Sequence, residues 1–178
     1  MFFYHRRIAM KFFPAFYAMA PKALISFLMM FVFAVCVNAQ THSTPTEKIY
    51  DEAANAKSDI AHSITLAKQS RKNILIDFGG NWCIWCHRLD SLFHTNKKIA
   101  GLLEKKFIVV HVDIGKFDKN LDIAEQYGVD LKKMGVPALV VLNDEGELIK
   151  VENTGDLESG KGHSPVKVLK FLRAYSPV

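Results

Sequence analysis

Residues 74–86 read "ILIDFGGNWCIWC". An apolar, β-branched run (73–78) stops at Gly79-Gly80, which is the pattern of a buried strand ending in a turn. The next residues predict a helix that begins near Cys83 and carries Leu89, Leu92 and Phe93 inward. A strand, a glycine turn and a helix would place Cys83 at a helix mouth and Cys86 one turn in. Two chemistries fit that spacing. One is a redox dithiol. The other is haem attachment, because Cys83, Cys86 and His87 also spell C-x-x-C-H.

The dithiol reading needs a thiolate at neutral pH. A free cysteine has a pKa near 8.5, and a helix N-terminus lowers it. Unpaired N–H groups in the first turn would face the Cys83 sulfur, which is expected to be exposed. Cys86 lies three residues on, over the same helical face, and is expected to be buried. Cys83 is then the attacking nucleophile and Cys86 the resolving thiol. A buried Cys86 needs a base. Asp77 ends an apolar strand, where desolvation would raise its pKa and fit it for that proton. The alternative is a solvated strand end. Pro137 opens what should be a central strand, "GVPALVVLND" (135–144), a place where proline is normally excluded. A cis bond would resolve the conflict and leave the Val136 backbone beside the dithiol. An ordinary trans proline at a strand start is the other reading.

The flanks predict an α/β order. "HSTPTEK" (42–48) suggests a helix start, with Thr44 as cap, Pro45 in the first turn and Glu47 closing a capping box. Ile49, Ala53, Ala56, Ile60, Ile64 and Ala67 follow at helical steps, so one amphipathic helix is expected to run to about residue 70. Thr95 is a plausible cap for a further helix bearing Ile99, Leu102 and Leu103. "FIVVHVDI" (107–114) is a buried strand, and 120–128 is a short helix stopped by Gly128. The turn at Asp144-Glu145-Gly146 pairs the third strand with 147–155. Residues 164–175 close with a helix whose apolar face is Val166, Leu169, Phe171 and Leu172. The first three strands read as parallel crossovers and the last pair as antiparallel. Phe78, Phe107, Phe117 and Phe171 are expected in the core.

The 178 residues suit one domain. The formal charge of +5 is misleading, because Arg6, Arg7, Lys11 and Lys22 sit in residues 1–39 with no acid. With those four set aside, 19 of the 23 basic residues face 18 acidic ones. So neutral a body has no electrostatic footprint for nucleic acid. The leader has a basic stretch, the apolar run "ALISFLMMFVFAVCV" (23–37) and small residues before Gln40. That is a signal-peptide pattern. Its run of about 15 residues is short of the roughly 20 a membrane helix needs. Residues 1–39 are therefore read as a signal peptide, or alternatively an uncleaved anchor, and 40–178 as the domain. Val35 before Cys36 disfavours a lipoprotein. Cleavage after Ala39 would leave Cys83 and Cys86 alone in an exported body. A bridge across so small a loop adds little stability, so its value is chemical.

"ILIDFGGNWCIWC", "MGVPALVVLN" (134–143) and "DEGELIKVENTG" (144–155) together resemble the thioredoxin superfamily, most closely exported thioredoxin-like proteins with a W-C-x-W-C core. The likeness covers most of 46–175. It implies a thioredoxin-like α/β fold, with a central mixed sheet flanked by helices and an extra N-terminal helix. It implies Cys83 as nucleophile, Cys86 as resolving thiol, Asp77 as buried acid and a cis Pro137. It also implies a docking surface containing Trp82, with Ile84, Trp85, Val136 and Pro137 beside it. The sequence departs from the pattern where thioredoxins have Gly-Pro between the cysteines and Trp-Ala before them. Here those places hold Ile84-Trp85 and a glycine pair.

Haem would need His87 and a distal ligand such as Met134, yet three strand runs argue against a helical haem domain. Zinc would need His87 and His94 at a spacing of no common site. The other histidines, His62, His111 and His163, are read as structural or exposed. Trp85 either faces substrate or covers Cys86. The expectation is a periplasmic or secreted thiol–disulfide oxidoreductase, a monomer with no cofactor or metal beyond its dithiol. Its partners would be protein thiols and disulfides and a separate redox donor, with a membrane involved only if the leader stays uncut. The apolar Ile84-Trp85 pair inclines it towards reductant or isomerase. A dedicated maturation module handling metal or apo-cytochrome thiols is the alternative.

Overall fold

The computed structural model describes residues 48–177. The leader, Cys36, Thr44, Pro45 and Glu47 lie outside them. The chain begins with turns over residues 48–55 and then forms helix α1, Ala56–Ser70. Asn55 caps α1 by accepting from Ser58 N at 3.1 Å. Strand β1, Asn73–Gly79, leads to α2, Ile84–Thr95, and α3, Lys97–Lys106. Strand β2 is Phe107–Asp113, followed by the short helices α4, Leu121–Gln126, and α5, Leu131–Met134. Strands β3, Ala138–Leu142, and β4, Leu148–Asn153, form the hairpin. A 3-10 turn, Thr154–Leu157, enters a small ribbon of β5, Glu158–Ser159, and β6, Gly162–His163. Helix α6, Pro165–Ala174, closes the domain. None of the described helices is long and apolar enough to cross a membrane.

The main sheet runs β2-β1-β3-β4. All of β1 is buried because it has a strand on each side and helices on each face. The strand's two-residue period sorts its side chains. Ile74, Ile76 and Phe78 join Ile60, Val140 and the α4–α5 segment on one face. Leu75 joins Leu89, Phe93, Leu103, Val141 and Phe171 on the other.

Five expectations are corrected. β1 pairs with β2 in parallel, but β3 runs antiparallel to β1. The link over residues 114–137 carries the short helices α4 and α5 and brings the chain back at the end where β2 finished, so that Ala138 pairs with Phe78. The helix expected to run on through Ile49 and Ala53 begins only at Ala56, with Asn55 as its cap. Ile49 and Ala53 lie in turns because Asn81 takes the backbone of this segment: its Oδ1 accepts from Ile49 N and Tyr50 N, each at 3.0 Å, and its Nδ2 donates to Tyr50 O at 2.8 Å. Asn96, not Thr95, caps α3, accepting from Lys98 N and Ile99 N, while the Thr95 hydroxyl donates back to Ser91 O. On α6, Val166 points to solvent and Val168 takes the buried place beside Phe171 and Leu172. Phe78, Phe107 and Phe171 are core residues; Phe117 is only partly buried.

Candidate active site

Strand β1 delivers the chain to Gly79-Gly80, and Cys83 N donates to Gly80 O at 2.9 Å to tighten the turn. Cys83 is the N-cap of α2, and its sulfur accepts from Cys86 N at 3.1 Å. A cysteine sulfur thus stands where Ser or Asp usually caps a helix, with the positive end of the helix on it. Cys83 and Cys86 form a disulfide.

Cys83 is more covered than expected, at 5% exposed, and Cys86 is fully enclosed. The cover is the segment before β3. The Val136–Pro137 peptide bond is cis, and Val136 O lies 3.5 Å from Cys83 Sγ. Pro137 is itself buried, and its carbonyl accepts from the Thr154 hydroxyl. Around this mouth Trp82 and Ile84 are exposed, Ile84 at 57%. Trp82 Nε1 donates to Gly115 O, and its ring tilts against Phe117. Trp85 is half-buried. It packs against Tyr50 and both cysteines, meets His163 edge-on and carries the Arg88 guanidinium 4.8 Å above its ring.

Asp77 is fully buried on β1, the strand that leads to this dithiol, and neither of its oxygens has a hydrogen-bond partner among the described residues. Burial pushes its carboxyl up to about 7; the neighbouring Tyr50 hydroxyl opposes that rise, and the charge on Asp90 adds to it. Burial, followed by the Asp77 charge, raises the Tyr50 phenol well above its usual value. A strand-end Asp in contact with water is thereby excluded.

Three residues of this neighbourhood were not singled out from sequence. Tyr50 is fully buried, and its hydroxyl converges with Cys86 Sγ on Gly79. Asn81 pins the Tyr50 segment, and its own carbonyl pairs with His87 Nε2 at 2.8 Å. His111, read as structural or exposed, lies directly across from Asp77 in the parallel register. Its Nε2 is 3.8 Å from Asp77 Oδ2 and 3.8 Å from Asp90 Oδ1. A signal existed for His111: it interrupts an apolar strand at the position that Asp77 occupies in its own. No comparable signal marks Tyr50.

The haem ligands are otherwise engaged: His87 binds Asn81 O, and Met134 packs against the core. Among the described residues no three His, Cys, Asp or Glu side chains are grouped to hold a metal.

A thioredoxin-like family model matches residues 55–144. The thioredoxin of Buchnera aphidicola subsp. Baizongia pistaciae is 32% identical over 107 residues, which cover 60% of this chain and 82% of that protein. The crystal structure of a disulphide isomerase from Xylella fastidiosa Temecula1 superposes with a TM-score of 0.64 at 34% identity, covering 71% of this chain and 95% of that one. The oxidised C-terminal domain of Neisseria meningitidis DsbD shares the fold alone, with a TM-score of 0.50 at 18% identity over 68% of this chain and 97% of that domain.

Proposed function

The chain belongs to the thioredoxin-like family and is a thiol–disulfide oxidoreductase, and from that premise we propose that it is exported and works on protein substrates as a reductant or isomerase. The observation that carries the cycle is a capped sulfur, a shielded sulfur and a buried acid on the strand before them: Cys83 at the N-cap, Cys86 one turn in, Asp77 on β1. In the reduced enzyme the Cys83 thiolate, favoured by the helix terminus, attacks a substrate disulfide. One substrate sulfur leaves as a thiolate and takes a proton from water, and the other stays bonded to Cys83. Cys86 then gives its proton to the Asp77 carboxylate. Its thiolate attacks Cys83 Sγ, the bond from Cys83 to substrate breaks, and the second substrate sulfur leaves with the electron pair. The enzyme ends as the Cys83–Cys86 disulfide, and a donor dithiol restores it. The cycle uses no group beyond these side chains.

Substrate docking falls to Trp82, Ile84 and Trp85 with the Val136 carbonyl and Pro137; the exposure of Trp82 and Ile84 and the 3.5 Å from Val136 O to Cys83 Sγ support this reading. Two features favour reduction or isomerisation. The dipeptide Ile84-Trp85 carries no charge to stabilise the thiolate further, and a 34%-identical protein of this fold is a disulphide isomerase. Export to the periplasm or beyond rests on the leader pattern and on a body whose two cysteines are both used in chemistry.

The test is reduction of insulin disulfides and isolation of mixed disulfides from the exported protein. Cys83→Ser is expected to abolish turnover, and Cys86→Ser to accumulate disulfide-linked substrates. Equal turnover in the parent and both variants overturns the cycle. A single trapped partner in place of a broad set would redirect the reading to a dedicated maturation factor.

A further inference from the structure

The reading above leaves Asp77 with a proton and no visible way to lose it. On one side stands Tyr50, fully buried and next to the fully buried Cys86. Its two oxygens and His111 Nε2 all lack a hydrogen-bond partner among the described residues. On the other side the exposure rises in steps. Asp77 is at 0%, the His111 and Asp90 side chains are at 25% and 21%, and His94 is at 73%. The same nitrogen of His111 faces both carboxylates at 3.8 Å, and Asp90 Oδ1 lies 3.4 Å from His94 Nδ1.

We propose that His111 is the proton outlet of Asp77, taking the proton on Nε2 and passing it to Asp90, from which it reaches solvent beside His94. The proposal rests on Asp77 acting as the base for Cys86. With Nδ1 protonated, neutral His111 accepts the Asp77 proton on Nε2 and becomes imidazolium while Asp77 returns to carboxylate. The Nε2 proton then goes to the Asp90 carboxylate and on to water, and His111 is neutral again. Charge and protons balance, and no oxidant is needed. A separation of 3.8 Å is closed by a small ring rotation or by one water, as in other resting active sites.

The titratable groups facing His111 come from three elements besides its own. They are Asp77 on β1, Asp90 and His94 on α2, and Tyr50, whose ring meets the imidazole edge-on at 5.5 Å. Burial holds His111 below its usual range and lifts Asp77 to about 7. His111 touches neither sulfur. It is a positioning residue for the proton, acting through Asp77.

The test is the single-turnover decay of the Cys83 mixed disulfide in dilute buffer between pH 5.5 and 8.5, with Cys83 alkylation measured in parallel. His111→Gln keeps the shape and loses the titration. It is expected to slow decay by at least about fivefold while alkylation stays at the parental rate. His111→Ala is expected to show the same loss and to recover when imidazole is added, a rescue that a structural role would not give. A smaller loss in His111→Gln, a loss matched by slower alkylation, or no recovery of His111→Ala overturns the outlet. Should these variants fail to fold, Asp90→Asn decides: slower decay supports the outlet, and parental decay overturns it. Asp77→Asn separates the two claims. Parental decay in that variant overturns the base assignment itself, whereas slow decay there beside fast decay in His111→Gln overturns the outlet alone.

Discussion

Replacing Asp77 by Asn should stabilise the oxidised protein, and only above a definite pH. The carboxyl is fully buried, and burial lifts it from near 4 to about 7. An acid with a raised folded pKa contributes its full stability below the unfolded value, and that contribution is lost as pH rises through the folded one. Between pH 4 and 7 the unfolded chain ionises this group while the folded chain does not. About three pH units at roughly 1.4 kcal/mol each give a penalty on the order of 4 kcal/mol above pH 7. Asn removes that ionisation and still presents an amide oxygen to the neighbouring Tyr50 hydroxyl. Denaturant unfolding of both oxidised proteins from pH 3.5 to 8.5 checks this. The difference should be near zero at the acid end, grow between pH 4 and 7, and level off above. The cysteines are silent in the disulfide state, and both proteins share His111. A difference that is flat with pH, or a variant weaker than the parent at pH 8, refutes the buried-acid argument.

Two further outcomes follow from the packing. Gly79→Ala would place a methyl group 2.8 Å from Cys86 Sγ and onto the Tyr50 hydroxyl. Overpacking of this kind costs about 1–3 kcal/mol, read as a melting temperature several degrees lower, with Tyr50 fluorescence altered. Ile84→Ser should leave stability unchanged, because the side chain is exposed. It should raise KM for a protein disulfide several-fold while sparing a small aromatic disulfide; equal effects on both would remove Ile84 from the docking surface.

The fold was legible where one physical rule dominated. The runs at 73–78, 107–114 and 138–142 are strands because uninterrupted β-branched stretches bounded by turn residues have few other uses, and the glycine pair marked the turn before the dithiol. Strand direction was not legible. It depends on the end of the sheet at which the link from β2 returns the chain, and no residue of 114–137 marks that end. The first helix was placed too early because its apolar spacing continues through Ile49 and Ala53, while the force that breaks it, the Asn81 side chain, comes from 31 residues away in sequence. Asp77 could be picked out as a polar residue ending an apolar strand. His111 carried the same mark but gains meaning only through the parallel register that sets it opposite Asp77. Tyr50 could not be foreseen, since nothing local to "IYDE" (49–52) says that its ring is buried against a disulfide.

The Asn81 clamp has a consequence for where this domain begins. The family match starts at residue 55, downstream of the stretch that Asn81 holds. That stretch delivers Tyr50 as a plug over the inner sulfur. A protein trimmed to its recognisable boundary would keep its strands and its cysteines and lose its stopper. Water could then approach Asp77, whose affinity for a proton depends first on dryness, and the trimmed domain would keep the family outline without this chain's seal.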